Sequence, residues 1–410
     1  MGRPWTPFPL NDHFLLVDSV LSVEIKFPIS RGLYQMKTDR TNQLPLFFTQ
    51  VIGSLPRPKV VRDLIDHRHA NSTNECEKIM DEMVIFAIRI QEQAGLDVVS
   101  DGEWRRIHYL DEFLHRIGGH EPVCPFMHQG EKKYTTVVTE KMEGGEPLFV
   151  RDAEFLVAHT NRCTKFALPS PFLIATRKWH KDFSTNAYPT MEHYMEHLTQ
   201  LLATEAQAIA KTGIDIIQLD DPALTYFCDR NLTGGGDSHD DRLKRQWDIE
   251  DQVPQVIDSI NQVVTGLPTE VHLHCCHSVY KRRSDVAGDY KPILPYLTDI
   301  QVDRVNLEFA YQDTGEVSDL ELLPDHLDVG MGVLDIRNER IQTIDEIAEL
   351  GARGAAVINP TRIALNPDCG FAPGYGEPPS IDEAFEKLSQ LTAAAQRLRE
   401  QIDSDPEVAS

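Results

Sequence analysis

The chain has 410 residues, and its 64 acidic residues outnumber its 40 basic residues to give a formal net charge of −24. This length is enough for one large α/β domain or two ordinary domains. The excess of negative charge would repel nucleic-acid backbones and anionic lipid, so we expect neither nucleic acid nor a membrane among its partners.

The N-terminal segment, residues 1–45, is predicted to be an extension of the main domain. Its most apolar stretch, residues 14–25, is interrupted by Asp18 and Glu24 and is shorter than the roughly 20 apolar residues of a membrane span. It lacks the basic leader and cleavage site of a secretory signal, which predicts a cytoplasmic protein. The seven cysteines of the chain are then expected to be reduced thiols or metal ligands.

Short β-rich runs alternate with segments of helical periodicity along the rest of the chain. The predicted strands span residues 46–54, 96–103, 166–175, 214–222, 270–276, 304–310, 327–335 and 355–360. The main predicted helices span residues 76–94, 191–212, 254–264, 343–351 and 381–401. This alternation predicts an α/β fold, a (β/α)₈ TIM barrel over residues 46–402, with a tail over residues 403–410. An open, doubly wound parallel sheet is the alternative architecture.

Polar residues fall at the C-terminal ends of these predicted strands, where the loops of a (β/α)₈ barrel converge to form the active site. They are Ser54, Glu103, Asp220, Asp221, the stretch VHLHCCHS at residues 271–278, Glu308, Asp335 and Cys369. Their repeated placement at one end of the predicted barrel favours a functional site.

The stretch VHLHCCHS contains three histidines and two cysteines. Because strand side chains alternate between faces, we predict that His272, His274 and Cys276 face the barrel axis. Cys275 and His277 would then face away from it. His272 lies deeper in the strand and is expected to orient a neighbour by hydrogen bonding.

His274 and Cys276, nearest the open end of the barrel, would form a chelating pair. Glu308, at the end of the next strand, and Cys369, at the barrel mouth, would complete a mononuclear zinc site. A mixture of thiolate, imidazole and carboxylate ligands suits Zn²⁺. The alternative is that these residues are buried cysteines and a hydrogen-bonded core histidine. Sulfur-rich zinc can hold a substrate thiol as thiolate, so the set favours thiol alkylation over hydrolysis.

Seven motifs, in this order and spacing, resemble the catalytic C-terminal half of the cobalamin-independent methionine synthases over residues 48–399. The motifs are VIGSLPRP (51–58), GLDVVSDGEWRR (95–106), IQLDDPAL (217–224), HLHCCHS (272–278), NLEFA (306–310), GMGVLDIR (330–337) and LNPDCG (365–370). The resemblance implies a (β/α)₈ barrel, homocysteine as the methyl acceptor, and Zn²⁺ held by His274, Cys276, Glu308 and Cys369.

The resemblance also implies roles for further residues. Glu103 and Asp220 would hold the ammonium group of homocysteine, although ordinary salt bridging is the alternative for both. Arg162 and Cys163 would lie near the methyl donor, although Arg162 could instead pair with a surface acid. The homocysteine pocket would be lined by Ile52, Gly53 and Ser54.

Two departures from the family pattern concern the methyl donor. The chain has no room for the second, N-terminal barrel of the full-length enzymes. It therefore resembles a single-barrel branch whose donor would be a methyltetrahydrofolate or a methylated corrinoid, with a corrinoid protein as a potential partner. Arg337 occupies the place of the family's proton-donating histidine. Arginine cannot readily supply that proton, but it could bind an anionic group.

These features make a zinc-dependent S-methyltransferase that converts homocysteine to methionine the leading hypothesis. A second hypothesis is a zinc-dependent alkyltransferase acting on another thiol, such as an epoxide:coenzyme M transferase, in which Arg337 would suit a sulfonate or a developing alkoxide. A third is a non-catalytic metal-binding barrel. A barrel like that of uroporphyrinogen decarboxylase, which needs no such zinc ligands, is a further alternative at the level of fold.

Overall fold

The computed structural model describes residues 38–67, 74–128, 130–235, 243, 247–279, 281–372 and 379–404. The predicted N-terminal extension, residues 1–45, lies outside the described residues as far as residue 37. The predicted tail, residues 403–410, lies outside them from residue 405 onwards. All of the described residues belong to one unit, Gln35–Ser410.

Strands of the described residues form two sheets. Seven of them form a curled parallel sheet in the order β1-β4-β5-β6-β7-β8-β9, and β2 and β3 form an antiparallel hairpin. The strands are β1 (Val98–Val99), β2 (His120–His128), β3 (Glu131–Val138), β4 (Cys163–Pro169), β5 (Ile216–Asp220), β6 (Glu270–Cys275), β7 (Arg304–Glu308), β8 (Asp328–Leu334) and β9 (Ile363–Pro367).

Helices alternate with the strands of the parallel sheet. In the part of the chain that the structure describes, none of them is long and apolar enough to cross a membrane. The α-helices are α1 (Lys59–Asp66), α2 (Asn74–Ala94), α3 (Asp111–Ile117), α4 (Val150–Ala158), α5 (Pro171–Lys178), α6 (Met191–Ala210), α7 (Arg230–Thr233), α8 (Ile249–Val264), α9 (Ile344–Ala355) and α10 (Ile381–Ser404).

The parallel register places the carboxyl ends of the strands at one edge of the sheet. Asp220 at the end of β5, for example, is the register partner of His274 on β6. The segment before α1 contacts both edge strands through isolated parallel bridges, Thr49 with Leu365 of β9 and Gln50 with Val98 of β1. Every residue of β4, β5, β6, β7 and β9 is buried, as expected for a parallel sheet covered on both faces.

The predicted elements are confirmed for five helices, which correspond to α2, α6, α8, α9 and α10. The predicted strand over residues 166–175 is wrong in its second half, where α5 begins at Pro171. Ser170 caps this helix because its side chain accepts a hydrogen bond from the backbone N–H of Leu173, and Pro171 suits the first helical position.

The predicted strand over residues 355–360 is also wrong. The backbone N–H groups of Val357 and Ile358 donate to the carbonyl of Gly354, so this segment turns back on the end of α9. The last strand is β9, which begins at Ile363. The predicted first strand, residues 46–54, contains only the two bridges described above. The hairpin of β2 and β3 was not predicted.

Candidate metal centre and substrate pocket

The carboxyl ends of the parallel strands surround a pocket of about 430 Å³. Most of the residues predicted to bind metal or substrate line it together. These are Ile52, Gly53, Ser54, Glu103, Asp220, His274, Cys276 and Cys369. Four other predicted site residues, Glu308, Arg337, Arg162 and Cys163, are not among the lining residues.

His274, Cys276 and Cys369 form a buried group suited to a metal ion. Their ligand atoms all lie within 4.8 Å of one another, and the two Sγ atoms are 3.3 Å apart. His274 comes from β6 and Cys276 follows the end of that strand, whereas Cys369 follows β9. Three ligands with imidazole and thiolate character are the set that catalytic zinc uses in one class of open site.

The chemistry of this group fits a metal ion. Neither ring nitrogen of His274 has a hydrogen-bond partner among the described residues, although both are buried, and buried polar atoms usually have one. The adjoining Cys276 thiol lowers the pKa of Cys369 from 9.0 to about 6, although burial opposes the shift. The lowered pKa favours the thiolate form of Cys369, which is the form that binds metals.

Glu308 does not belong to this group. Its Oε1 accepts a hydrogen bond of 2.7 Å from Arg337 Nη2. Its Oε2 accepts one of 3.0 Å from the backbone N–H of His277 and lies 2.7 Å from His277 Nδ1. The charge of Arg337 outweighs the effect of burial and lowers the pKa of Glu308 to about 2. The carboxylate is thus ionised and paired with an arginine.

His277 belongs neither to the metal group nor to the residues that line the pocket. Strand β6 ends at Cys275, so the alternation of faces no longer holds two residues later, and the buried His277 ring turns towards Glu308. The predictions for the strand itself agree with the structure. Cys275 is buried in the core, and His272 Nε2 lies 2.9 Å from Glu270 Oε1.

Arg337 lies in the loop after β8, and its side chain is fully buried. Besides Glu308 it faces Asp368, with 3.7 Å between Nη1 and Oδ2, and its guanidinium lies 4.8 Å from the centre of the Tyr311 ring. The sequence analysis suggested that Arg337 could bind an anionic group of donor or substrate, whereas in the structure its guanidinium is directed at acidic and aromatic side chains of the protein. The arginine is therefore already paired within the fold.

Glu103 occupies a strained position at the wall of the pocket. Its backbone adopts the left-handed conformation, with φ of 58°, and its N–H donates to Asp101 Oδ1 at 2.9 Å. Its Oε2 has no hydrogen-bond partner among the described residues, and burial raises its pKa to about 7. A Cβ atom on Gly53 would lie 2.3 Å from Glu103 Oε1. Glycine is thus the residue that leaves room for this carboxylate.

Asp220 is oriented by a polar network inside the sheet. Its Oδ1 accepts a hydrogen bond of 2.7 Å from Gln218 Nε2. Gln218 Oε1 in turn accepts from Lys165 Nζ at 2.9 Å and from Asn306 Nδ2 at 3.0 Å. Burial lowers the pKa of Lys165 to about 7. Gln218 is a site residue that the sequence analysis missed, although it lies two positions before Asp220 on the same strand face.

The turn at Ser54 packs directly against the turn that carries Cys369. The hydroxyl of Ser54 accepts a hydrogen bond of 3.2 Å from the backbone N–H of Ala372. A Cβ on Gly370 would lie 2.5 Å from Ser54 Oγ. The pocket-lining turn at Ser54 and the turn that carries Cys369 therefore share one packed contact.

The β2–β3 hairpin supplies the outer wall of the pocket, with Phe126, His128 and Thr135 among the lining residues. His128 Nε2 lies 2.8 Å from Asp285 Oδ1 in the loop after β6. Lys178 at the end of α5 donates to Thr136 Oγ1 at 3.0 Å. Two β-rich runs on either side of Gly130 were the available sequence signal for this hairpin.

Arg162 and Cys163 lie at the amino end of β4, opposite the end at which the pocket opens. Arg162 is exposed, and its carbonyl accepts a hydrogen bond from Arg40. Cys163 is buried and is the register partner of Val98. The structure therefore does not bring this pair together with the candidate metal group, and the expected contact with a methyl donor is not supported by this position.

Comparison with known proteins gives consistent matches over most of the chain. Residues 47–397 match the family model described as "Cobalamin-independent synthase, Catalytic domain". Methionine synthase of Pyrococcus abyssi is 26% identical over 370 residues, which is 88% of this chain and 96% of that protein. Methionine synthase of Sulfurisphaera tokodaii is 28% identical over 367 residues, with 88% and 95% covered.

Solved structures show the same fold. A B12-independent methionine synthase from Shewanella sp. W3-18-1, in complex with selenomethionine, superimposes with a TM-score of 0.72 and 22% identity, covering 88% of this chain and 99% of that chain. A vitamin-B12-independent methionine synthase, described as putative, from Listeria monocytogenes has a TM-score of 0.63 at 20% identity, with 87% and 99% covered.

Proposed function

We propose, because the chain belongs to the cobalamin-independent methionine synthase family, that it transfers a methyl group to the thiol of homocysteine to give methionine, with Zn²⁺ as cofactor. Family membership makes the chain a methyltransferase. The observation that carries the finer proposal is that a thiolate-rich ligand group and two buried carboxylates share one pocket. The thiolate-rich group suits the thiol of homocysteine, and the two carboxylates suit its ammonium group.

The residues proposed to hold zinc are His274, Cys276 and Cys369. Zinc bound there would supply Lewis acidity that lowers the pKa of the substrate thiol and keeps it as thiolate. The unpartnered ring nitrogens of His274 and the low pKa of Cys369 support this assignment. The fourth ligand that the family resemblance implies, Glu308, is paired with Arg337 and is treated separately below.

Glu103 and Asp220 are proposed to bind the ammonium group of homocysteine. The free carboxylate oxygen of Glu103 supports this role, since a buried oxygen without a partner is costly unless a ligand supplies one. Asp220 is already oriented by Gln218, so it is prepared to accept a hydrogen bond. Ile52, Gly53 and Ser54 would line the substrate between these acids and the metal ligands.

We propose a methyltetrahydrofolate or a methylated corrinoid as the methyl donor, entering beneath the β2–β3 hairpin. The pocket volume of about 430 Å³ supports room for part of a second substrate. Arg337 is assigned no proton-donating role, because it is a permanently charged group outside the pocket lining. A donor whose leaving group needs no proton from this position is therefore favoured.

We further infer that the parallel sheet closes as a (β/α)₈ barrel over residues 46–402, with residues 46–54 as the eighth strand. The bridges from Thr49 and Gln50 to the two edge strands support closure. The free cysteines support a reducing compartment such as the cytoplasm, because a site with two thiolates needs reduced thiols.

A single-turnover assay tests the proposed function. The purified full chain, loaded with zinc, is mixed with homocysteine and with methyltetrahydrofolate, its polyglutamylated form or methylcobalamin, and methionine is measured. We expect methionine from at least one donor, none from Cys369→Ser, and unchanged turnover from Cys275→Ala, which alters a buried thiol outside the ligand group. Binding of zinc and homocysteine without methyl transfer from any of these donors would contradict the proposal.

A further inference from the structure

Both carboxylate oxygens of Glu308 are occupied by protein groups. Oε1 accepts from Arg337 Nη2 at 2.7 Å, and Oε2 faces the backbone N–H and the ring of His277 at 3.0 and 2.7 Å. The side chains of Glu308 and Arg337 have no exposed area. This carboxylate would have to give up strong, buried hydrogen bonds in order to bind a metal.

No change of protonation at Arg337 would release Glu308. A guanidinium stays protonated at any ordinary pH, and a buried charge that loses its partner is strongly destabilising. Asp368 faces the guanidinium as well: its Oδ1 accepts from the backbone N–H groups of Phe309 and Ala310 at 3.2 and 3.1 Å, and its Oδ2 has no hydrogen-bond partner among the described residues. Its Oδ2 faces the other nitrogen, Nη1, at 3.7 Å. A shift of Glu308 towards the metal group would break the 2.7 Å hydrogen bond from Nη2 and leave Nη2 with the carbonyl of Ser278, at 3.4 Å.

We propose that Arg337 retains Glu308, so that the metal centre of this protein has three protein ligands, His274, Cys276 and Cys369, and a fourth position open to the sulfur of the substrate. This inference rests on the proposed zinc-dependent function. Arg337 is then a positioning residue that acts through Glu308 and touches neither metal nor substrate. The proposed centre of three ligands differs from the set of four ligands that the family resemblance implies.

The charges of the described groups are consistent with this assignment. The carboxylate of Glu308 is balanced by Arg337, and the thiolates of Cys276 and Cys369 would balance the charge of Zn²⁺. Because no protein ligand would have to leave, the substrate sulfur would take the position that water fills in an open zinc site. The site would accept a thiol without rearranging the protein.

The test replaces the ion pair by a neutral pair, Glu308→Gln with Arg337→Met, and measures zinc affinity by competition with a chelator. We expect the double variant to bind zinc within about tenfold of the wild type, because the pair contributes neither a ligand nor net charge. Cys369→Ser should lose more than about hundredfold, and Cys275→Ala should match the wild type. The single change Arg337→Met frees the carboxylate, so its affinity should rise and its cobalt(II) absorption spectrum should differ from that of the wild type.

The same measurements can overturn the inference. If the double variant loses as much zinc affinity as Cys369→Ser, Glu308 is a ligand and the three-ligand centre is wrong. Glu308→Gln with Arg337→Gln, which retains a hydrogen-bonded amide pair, gives the same comparison if the methionine variant folds poorly. If the wild type itself binds no zinc, the proposed zinc-dependent function fails, and the inference fails with it.

Discussion

Replacing Gly53 by alanine tests the proposed ammonium pocket without altering a metal ligand. The new Cβ would lie 2.3 Å from Glu103 Oε1 and 3.4 Å from Glu103 Cδ. Non-bonded heavy atoms are normally separated by about 3.5 Å, so the carboxylate must withdraw by roughly 1 Å. Gly53 is not among the glycines with positive φ, so alanine suits the backbone and the main effect should fall on the flexible end of Glu103.

The expected loss is one charge-assisted hydrogen bond to the substrate. Such a bond contributes about 1.5–3 kcal/mol, which corresponds to roughly a tenfold to hundredfold rise in KM for homocysteine. Glu103 has little freedom to compensate, because its left-handed backbone is fixed by Asp101 and its carbonyl accepts a hydrogen bond from Arg57. Zinc content should not change, since no ligand is displaced.

Steady-state kinetics and metal analysis on the same preparation measure both quantities. Gly145→Ala is the matched control, because a Cβ there would meet no atom within 4 Å among those that the structure describes. We expect the control to match the wild type. A fully zinc-loaded Gly53→Ala protein whose KM stays within about threefold of the wild type would refute the assignment of Glu103 to the substrate ammonium.

Three further predictions concern pH, the metal group and stability. Because burial raises the pKa of Glu103 to about 7, kcat/KM for homocysteine should fall as the pH drops below 7, and Glu103→Gln should remove this dependence; a limb that survives the change would assign it to another group. Cys369→Ser should lose both zinc and turnover, whereas Cys275→Ala should keep both, and equal losses in a metal assay would contradict the ligand assignment. Ser170→Ala removes the α5 cap and the hydrogen bond to Asp221, so denaturant unfolding should show a loss of about 1–3 kcal/mol; an unchanged midpoint would show that this cap is unimportant.

The metal group was predictable because its residues follow the regular geometry of a strand. His274 lies within β6 and Cys276 directly follows it, so alternation of faces separated both from Cys275. Cys369 was assigned to the metal group because it follows the last strand. That strand was predicted at residues 355–360 but lies at Ile363–Pro367. Such rules depend only on local backbone geometry and on the convergence of parallel strands.

The environment of Glu308 could not be predicted in the same way. Its partner Arg337 lies 29 positions away in a loop after the neighbouring strand, and loop side chains have no fixed period. The contact between His277 and Glu308 could not be predicted either, because His277 lies beyond the end of β6, where alternation no longer applies. A motif comparison identified the change from histidine to arginine at position 337, but only coordinates could show that the guanidinium turns to a proposed ligand.

The hairpin and the last strand were missed for a different physical reason. The β2–β3 hairpin lies outside the alternation of strand and helix that the sequence analysis followed, and its stability comes from contacts such as that between His128 and Asp285. The apolar run over residues 355–360 has no helical periodicity and was therefore read as a strand. Its backbone N–H groups at Val357 and Ile358 instead donate to the carbonyl of Gly354. Tertiary contacts decide both cases.

The contact between Ser54 and the Gly370 turn has a consequence for biosynthesis. During translation the turn at Ser54 leaves the ribosome more than 300 residues before Cys369. A nascent chain therefore carries only two of the three proposed metal ligands until its last strand is made. Zinc loading should therefore be a late event that follows synthesis of nearly the whole domain. Premature termination anywhere before Cys369 would yield a polypeptide that lacks this member of the metal group.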